Sequence, residues 1–327
     1  MRSMLKRASL GFFLLMIAVA SASASERPVV RVGVLKFGTV SWELDVMRRH
    51  RFDQAQGIEV EPLELAGKDS AAVALQGGAV DVILTDWLWV ARRRGLGGDF
   101  TFAPHSHAAG GLVVRRDGRI TQIADLKGRR IGVAGGPIDK SWLILRAYAK
   151  KAAGLDLVHD AEPVFAAPPL VMETLRKGDL AAAVNFWQYN ARLPAADYVE
   201  LVPIEDMLAA LDLAPQTPLL GWVFSERWAK SHAAALRGFL YAAAAARAEL
   251  ARSPEEWRAV APLAQVDDGE VLDRLRLAYA RGISGETPSD LGGAAQHLLD
   301  LLMSFGGIDE APPDGRVPPG TFFAGAP

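Results

Sequence analysis

The sequence predicts an α/β protein of two similar lobes, each with a mixed, mostly parallel sheet flanked by helices. Strand-like and helix-like segments alternate over most of the chain, which is typical of parallel sheets covered by helices. A similar segment also occurs in each half of the chain: Val32-Gly33-Val34 precedes Trp42, and Ile131-Gly132-Val133 precedes Trp142. Internal similarity of this kind indicates two related halves.

The composition permits a large core and disfavours several classes of function. The chain has 327 residues, half of them hydrophobic, no cysteine and a formal net charge of −2. A chain of this length can form one large or two medium domains without disulfides. The balanced charge gives no sign of nucleic-acid binding. Beyond the N-terminus, no apolar run approaches the ~18 residues of a membrane span.

The N-terminus has the pattern of a secretory signal peptide. Three basic residues within Met1–Arg7 precede an apolar run from Leu10 to Ala20, and the small residues Ala22-Ser23-Ala24 follow. Residues 1–24 are therefore expected to be removed on export. We predict a soluble mature protein in the periplasm with no lipid anchor, because the chain has no cysteine to carry one.

The elements of the first half follow from hydrophobic period and turn residues. Short β-branched runs predict strands, and apolar residues at helical spacing between capping residues and glycines predict helices. Residues Pro104 to Gly110 are predicted to form a loop. The predicted strands are Val29–Leu35, Ile58–Leu65, Val80–Leu84, Thr101–Ala103 and Gly111–Arg115, with helices at Trp42–Phe52, at Asp69–Gln76 and after Asp86.

The second half repeats this order and ends in an alanine-rich helical region. The predicted strands are Arg130–Ala134, Glu162–Phe165, Leu180–Asn185 and Leu219–Phe224, with helices at Asp139–Ala153 and Pro169–Lys177. Four further helices are predicted at Ser231–Arg252, Pro254–Ala261, Asp268–Ala280 and Pro288–Phe305. The proline-rich tail that starts at Pro312 is predicted to be irregular.

Chain order indicates which elements share a lobe. Residues 25–111 together with 221–327 are expected to form the first lobe, and residues 112–220 the second. The strands near residues 111–115 and 219–224 would then carry the chain between the lobes. Two such crossovers would form a hinge with a ligand cleft between the lobes.

The candidate site lies where the strands of both lobes end. Ligands of open α/β sheets bind outside the carboxyl ends of the strands, where helix N-termini also converge. Glycines at these ends allow a ligand to approach the backbone closely, and polar side chains there can give specificity. The expected ligand-binding residues are Thr39, Ser41, Trp42, Thr85, Asp86, Trp87, Gly135, Gly136, Asp139, Trp142, Asn185, Trp187 and Tyr189.

Two interpretations of the aromatic and acidic members of this set stay open. The four tryptophans either line the cleft, where they would stack on a planar or cationic ligand, or pack helices onto their sheets. The two aspartates either neutralise an amine or only cap helices. No metal, cofactor or catalytic site is expected, because His105 and His107 have no third ligand nearby and no catalytic motif occurs.

One segment of the second half resembles a known family. The residues Asp125-Leu126-Lys127-Gly128-Arg129-Arg130-Ile131-Gly132-Val133 resemble the DLKGKRIGV segment of periplasmic substrate-binding proteins that serve ATP-driven importers of the nitrate/sulfonate/taurine type, whose relatives include thiamine-pyrimidine-synthase-like proteins. Leu75 to Val82 and Leu175 to Ala183 are similar to the L-x-x-G-x-x-D element of that family. The resemblance covers most of the mature chain and implies the type II-like periplasmic binding-protein fold. The chain departs from the family pattern at Pro137, which lacks an N–H, and at Asp139, which adds a carboxylate.

The expected function is therefore that of the periplasmic solute-binding component of an ABC-type importer. It would close on a small organic molecule and then meet a membrane permease. The aromatic and acidic residues favour a planar or amine-bearing ligand, whereas the resemblance favours a sulfonate- or nitrate-like anion. Two alternatives stay open: an enzyme on the same fold, similar to pyrimidine synthases, and an accessory or sensory protein that binds a metabolite. The protein is expected to be a monomer without enzymatic activity.

Overall fold

The computed structural model describes residues 27–283, 289–304 and 311–325, whose strands form two five-stranded sheets. The predicted signal peptide and the two end residues of the last predicted helix, Pro288 and Phe305, lie outside these residues. Within them, no helix is both long and apolar enough to cross a lipid bilayer. The strands are β1 Val29–Leu35, β2 Glu59–Leu65, β3 Val82–Thr85, β4 Phe100–Ser106, β5 Leu112–Arg115, β6 Arg130–Ala134, β7 Glu162–Ala166, β8 Ala182–Val184, β9 Tyr198–Val202 and β10 Leu220–Ser225.

Helices flank both sheets, and several begin at a residue that caps them through its side chain. Asp86, Asp139, Ser225, Ser253 and Asp268 each accept a hydrogen bond from a backbone N–H in the first turn of the following helix. The helices are α1 Val40–His50, α2 Phe52–Ala55, α3 Lys68–Gln76, α4 Trp87–Gly95, α5 Lys140–Ala153, α6 Pro168–Arg176, α7 Trp187–Asn190, α8 Ile204–Ala210, α9 Glu226–Ser231, α10 Ala233–Arg252, α11 Pro254–Ala264, α12 Gly269–Gly282 and α13 Leu291–Ser304.

The two sheets share one topology. The first has the order β2-β1-β3-β10-β4 and the second the order β7-β6-β8-β5-β9. In each, the first three strands pair in parallel and the fourth runs antiparallel to both of its neighbours. The predicted architecture of two lobes, each with a mixed sheet and flanking helices, is confirmed. The first lobe is the first sheet with its helices, and the second lobe is the second sheet with its helices.

The chain passes twice between the lobes close to the predicted crossovers. Residues 107–111 link β4 of the first sheet to β5 of the second, and residues 211–219 link α8 to β10. The predicted loop from Pro104 to Gly110 is wrong in its first part, because β4 continues to Ser106. Pro104 is tolerated there because β4 is an edge strand, where a missing N–H breaks no ladder on the open side. The structure also contains β9 and α8, which the sequence patterns did not predict.

The C-terminal region contacts both lobes. Helix α13 was expected to return to the first lobe, but it packs against α5, and His297 Nε2 lies 3.2 Å from the carbonyl oxygen of Leu211. Its apolar residues Leu298, Leu299 and Leu302 are buried in that contact, which explains the difference. Residues 311–325 then reach the first sheet, where the N–H of Phe102 donates to the carbonyl of Thr321 over 2.8 Å.

Candidate functional site

A cavity of about 80 Å³ lies between the two lobes. It sits where the carboxyl ends of β1, β3 and β8 meet the first turns of α1 and α5. The lining residues from the first lobe are Gly33, Leu35, Gly38, Thr39, Val40, Lys68, Leu84 and Thr85. The lining residues from the second lobe are Asp139, Lys140, Ser141, Phe186, Trp187 and Gln188. The first crossover adds Ala108, Ala109 and Gly110, and β10 adds Leu220.

The N-terminus of α1 presents backbone donors to this cavity. Gly38, Thr39 and Val40 line it. The Gly38 N–H already donates to the Leu35 carbonyl over 2.9 Å, and Thr39, the N-cap residue, makes no side-chain capping bond. The first N–H groups of a helix have no partner within the helix, and the helix dipole adds partial positive charge at that end. The first lobe therefore offers a place for a negatively charged group.

The N-terminus of α5 reaches the cavity from the opposite lobe, but its cap is acidic. Asp139 Oδ1 accepts the N–H of Ser141 over 2.9 Å, while Asp139 Oδ2 has no hydrogen-bond partner among the described residues. The residue is only 2 % exposed. Gly135, with φ of 84°, allows this position, because a Cβ there would lie 2.6 Å from Asp139 Oδ2.

Two lysines and two aspartates surround the cavity. Lys68 Nζ donates to Asp86 Oδ2 over 2.8 Å, which joins α3 to the start of α4. Burial alone would lower the pKa of Lys68, but the carboxylates of Asp86 and Asp139 hold it above its usual value. Burial likewise would raise the pKa of Asp86, but Lys68, Lys140 and the Trp89 N–H hold it below its usual value.

Lys140 is the cation of this group that has no partner of its own. It begins α5, lines the cavity and is 8 % exposed. Its ammonium makes no hydrogen bond or ion pair with any residue that the structure describes. Because this cation lines the cavity without a hydrogen-bond partner, it offers an attraction for a negative group bound there.

Trp187 is a wall of the cavity and also a contact between the lobes. It begins α7 of the second lobe, and its ring packs edge-on against Trp42 of the first lobe with centroids 6.2 Å apart. Tyr279 of α12 lies 6.0 Å from the same indole. The Tyr279 hydroxyl donates to the buried Glu43 carboxylate over 2.8 Å, which fixes the orientation of the phenol ring.

Polar contacts around α7 join the lobes at the same place. The amide Nε2 of Gln188 donates to the Phe37 carbonyl of the first lobe over 2.9 Å. Arg192 Nη2 donates to the Ala264 carbonyl over 2.7 Å. Arg274 Nε of α12 donates to the carbonyl of Ala191, the residue after α7, over 3.1 Å. The cavity is therefore closed on the α7 side by contacts between the two lobes.

The structure brings together four of the residues predicted for the site. Thr39 and Thr85 line the cavity from the first lobe, and Asp139 and Trp187 line it from the second. Asp86 lies behind this layer, where it caps α4 and pairs with Lys68.

Three of the predicted tryptophans lie in the hydrophobic core. Trp42, Trp87 and Trp142 are 3 %, 1 % and 1 % exposed, and none of them lines the cavity. Trp87 packs on Phe322 of the C-terminal segment and Trp142 on Phe165. The structure therefore gives them the second of the two roles considered above, that of packing helices onto sheets, and no four-tryptophan clamp forms.

The remaining predicted residues lie beside the cavity without lining it. The Asn185 side chain accepts the Phe186 N–H and donates to the Pro168 carbonyl, so it shapes the turn into α7. Tyr189 stacks with Arg192, whose guanidinium carbon lies 5.0 Å from the ring centroid. The other three members of the set outside the lining are Ser41, Gly135 and Gly136.

Several lining residues were absent from the predicted set. Lys68 lies three residues after β2, much as Thr39 lies four residues after β1, so the segment that follows every strand was the signal for it. Lys140, Ser141 and Gln188 lie one to two residues from predicted positions. The crossover residues Ala108–Gly110 have no chemical signature in the sequence.

A metal centre is not part of this cavity among the described residues. His105 contacts Glu43, and His107 Nε2 contacts the Arg281 carbonyl at 2.8 Å. Elsewhere in the first lobe, one imidazole and two carboxylates have potential ligand atoms within 4.8 Å of one another, at His50, Glu249 and Glu256. Both carboxylates already pair with arginines, Arg49 and Arg252, which would compete with a cation.

Comparisons with known proteins agree with this architecture. The family model described as NMT1/THI5 like matches residues 50–257. A comparison of the sequence with curated proteins found no match.

Solved structures of binding proteins share the fold at low sequence identity. The alkanesulfonate-binding protein SsuA from Xanthomonas axonopodis pv. citri, bound to MOPS, is 18 % identical with a TM-score of 0.69, over 86 % of this chain and 94 % of that one. The periplasmic nitrate-binding protein NrtA from Synechocystis PCC 6803 is 13 % identical with a TM-score of 0.67, over 89 % and 84 %. An enzyme has a similar fold as well: the desulfurization enzyme DSZB is 18 % identical with a TM-score of 0.55, over 90 % of this chain and 98 % of that one.

Proposed function

Because the chain belongs to the NMT1/THI5-like family, we propose that it is a solute-binding protein that closes its two lobes on a small molecule. The observation that supports this most is the cavity between the lobes. Its walls come from both sheets. They hold the Lys140 ammonium, which makes no hydrogen bond with a described residue, and a buried carboxylate oxygen of Asp139 that no described residue satisfies. Such groups fit a site whose ligand completes their hydrogen bonds.

Closure follows from the division of these groups between the lobes. Thr39, Thr85 and Lys68 belong to the first lobe, whereas Asp139 and Lys140 belong to the second. A ligand that contacts both sets binds the closed form more tightly than the open one, and the equilibrium shifts toward closure by that difference. The crossovers at residues 107–111 and 211–219 are the hinge of this motion.

The proposed role of the closed form is delivery to a membrane permease from the periplasm. The likeness to binding proteins whose names specify alkanesulfonate and nitrate supports this role. We further propose that the ligand leaves the cavity chemically unchanged. The ligand is a small, polar molecule in this proposal, since the cavity is about 80 Å³ and charged side chains of both lobes line it.

The test is to purify the exported protein without refolding and to examine it by native mass spectrometry. A co-purified small molecule is expected. Small-angle scattering should then show a larger radius of gyration after the ligand is removed by unfolding and refolding, and recovery of the smaller value when the identified molecule is added back.

A protein whose scattering profile is the same with and without its bound molecule would contradict the proposed closure. Conversion of the added molecule to a product during incubation would favour an enzyme on this fold instead. A variant of an exposed lysine outside the cavity, Lys177→Gln, serves as the control and should behave as the unmodified protein does.

A further inference from the structure

A groove of about 920 Å³ borders the ligand cavity at the first crossover. One wall is α12 of the first lobe, and the other is the β5–β9 pair of the second lobe. Residues of the loop after α7 line it between these walls. Ala108, Ala109 and Trp187 line both the groove and the cavity, so they separate the two spaces. We call this space the hinge groove.

Both walls of the hinge groove run from the crossover to an arginine. On α12, the Gly282 carbonyl accepts the His107 N–H of the crossover over 3.0 Å, and Arg274 lies roughly two turns earlier, about 12 Å along the helix. On the opposite wall, β5 begins just after the crossover, and Arg116 follows its last residue. Arg274 and Arg116 therefore mark the end of the groove that is remote from the crossover.

The same loop holds these two arginines, although they come from different lobes. Arg116 Nε donates to the Ala195 carbonyl over 2.7 Å, and Arg274 Nε donates to the Ala191 carbonyl over 3.1 Å. Each of these bonds uses Nε alone, which leaves terminal nitrogens to bind an acid group. Arg274 also lies 3.9 Å from the exposed Glu270 carboxylate, a weak pair in water.

The acidic residues of the hinge groove lie at its crossover end. Glu200 Oε1 accepts the Gly111 N–H over 2.9 Å, and Glu205 follows β9 at the same end. Burial raises the pKa of Glu200 and the charge of Arg281 lowers it, so a cation accompanies this carboxylate. Glu200 pairs with the β5 residue three positions before Arg116, which is about 10 Å along the strand. An acid group at Arg116 therefore lies away from both carboxylates.

Apolar side chains line the groove between its two ends. Leu277 lies one turn after Arg274 on α12 and is 54 % exposed, and Leu193 and Tyr198 line the groove with it. Covering such a side chain with an apolar group is favourable. We propose that the hinge groove is a second binding site for an organic anion with an apolar body, whose acid group binds Arg116 and Arg274.

The crossover couples this site to the ligand cavity. On the first-lobe side, the Ser106 hydroxyl donates to the Gly282 carbonyl over 2.9 Å, and a Cβ on Gly282 would collide with Ala108. On the second-lobe side, the Gly111 N–H is held by Glu200. A molecule in the groove contacts both lobes beside this segment, so it stabilises the arrangement in which the lobes enclose the cavity. A cavity ligand that favours the same arrangement then binds more tightly.

The first measurement is the binding of 4-phenylbutanoate, by calorimetry, to the protein with its co-purified molecule in place. Two matched solutes are 4-phenylbutan-1-ol, which keeps the apolar body without the charge, and butanoate, which keeps the acid group without the ring. 4-Phenylbutanoate should bind roughly 10-fold or more tightly than either of them. The ligand cavity holds only roughly half a dozen water-sized groups and is too small for this probe.

Variants separate the two parts of the site. Arg116→Gln should weaken 4-phenylbutanoate roughly 10-fold and leave 4-phenylbutan-1-ol unchanged, because only the acid group loses its partner. Arg129→Gln, at an exposed arginine of the same lobe outside the groove, is the matched control. Leu277→Ser should weaken 4-phenylbutanoate and leave butanoate unchanged, and Leu263→Ser on α11 is its half-exposed control.

The second measurement tests the coupling, and this part rests on the proposed function. The refolded, ligand-free protein is titrated with the co-purified molecule in the absence and presence of saturating 4-phenylbutanoate. The probe should raise the affinity for that molecule about 5-fold or more, and the molecule should raise the affinity for the probe by the same factor. In Arg116→Gln, the same concentration of probe should have a smaller effect.

Equal affinity for 4-phenylbutanoate and 4-phenylbutan-1-ol, or an unchanged affinity in Arg116→Gln, would overturn the hinge groove as an anion site. Displacement of the co-purified molecule by the probe would place the probe in the cavity and overturn it as well. Binding that leaves the affinity for the co-purified molecule unchanged would overturn the coupling alone. The proposed function fails separately: if no molecule compacts the protein, the comparison between the unmodified protein and Arg116→Gln still decides whether the groove binds the probe.

Discussion

Trp87 and Trp187 occupy equivalent places in the two lobes, yet the structure uses them differently. Each begins the helix after the third strand in its sheet order, β3 for Trp87 and β8 for Trp187. Trp87 is 1 % exposed and packs in the core of its own lobe, whereas Trp187 is partly exposed, lines the cavity and contacts Trp42 of the other lobe. Equivalent position in a repeat therefore does not imply an equivalent role.

The difference follows from the helices that carry the two rings. Asp86 caps α4, which runs for nine residues and lies against the first sheet and the C-terminal segment. In the second lobe Phe186 takes the place of the capping aspartate, and α7 has only four residues. The Trp187 ring packs against the hydrophobic cluster that holds Trp42 and Tyr279. We expect the first lobe's ring to serve stability and the second lobe's ring to serve ligand binding.

The largest expected effect is that of Trp87→Ala. Removing a fully buried indole should lower the free energy of unfolding by about 3–5 kcal/mol, since a cavity remains in the core. Urea denaturation followed by circular dichroism measures this change. Trp89→Ala, at a partly exposed site on the same helix, is the control and should cost less. A loss as small as that of the control would show that Trp87 is not the core residue described above.

The next effect is that of Asp86→Asn, which tests the charged pair at the start of α4. We expect a loss of about 2 kcal/mol at neutral pH, because the variant leaves the partly buried Lys68 ammonium without its partner. The native pKa of Asp86 lies below its ordinary value of 3.8. Its charge therefore stabilises the fold fully above about pH 3.8, and this contribution disappears as the pH falls through the lowered native pKa.

The measurement for this pair is the difference in unfolding free energy between the unmodified protein and Asp86→Asn across the acid range. The difference should shrink as the pH falls below 3.8. In a Lys68→Met background the same substitution should cost less at neutral pH, because the partner is gone. A cost that does not change with pH, or that survives intact in the Lys68→Met background, would assign the role of Asp86 to helix capping alone.

The smallest effect on stability is expected for Trp187→Ala. The ring is partly exposed and contributes edge-on contacts worth about 1 kcal/mol, so the unfolding free energy should fall by about that amount. Affinity for the ligand should nevertheless fall roughly 10-fold, because the cavity loses a wall and the closed form loses a contact between lobes. Trp187→Phe should keep most of the unfolding free energy and most of the affinity for the ligand. A large loss of stability with unchanged affinity would contradict the contrast with Trp87.

The sequence predicted the two-lobed α/β fold because its strands are short β-branched runs and its helices have clear caps and stops. β9 was not predicted, since Tyr198–Val202 is a short edge strand whose middle residues are half-exposed, which leaves only a weak pattern. The extension of β4 through Pro104 was missed because proline usually interrupts a strand.

The site was predictable in position and less so in composition. The rule that ligands bind at strand ends led to Thr39, Thr85, Asp139 and Trp187, all of which line the cavity. It could not separate these from the core tryptophans, because the residue number after a strand does not determine whether a ring points to the sheet or to the cleft. That orientation depends on helix length and on partners distant in sequence, such as Phe322 for Trp87.

Closure of the lobes on a ligand is measured most directly as a distance between them. The chain has no cysteine, so Val73→Cys and Leu170→Cys introduce spin labels at two sites only. Val73 on α3 and Leu170 on α6 hold similar positions in the two lobes and are 68 % and 59 % exposed. Double electron–electron resonance should show a broad, longer distance without ligand and a narrow, shorter one when the co-purified molecule is added. An identical distance distribution in both samples would contradict closure of the two lobes on a shared ligand.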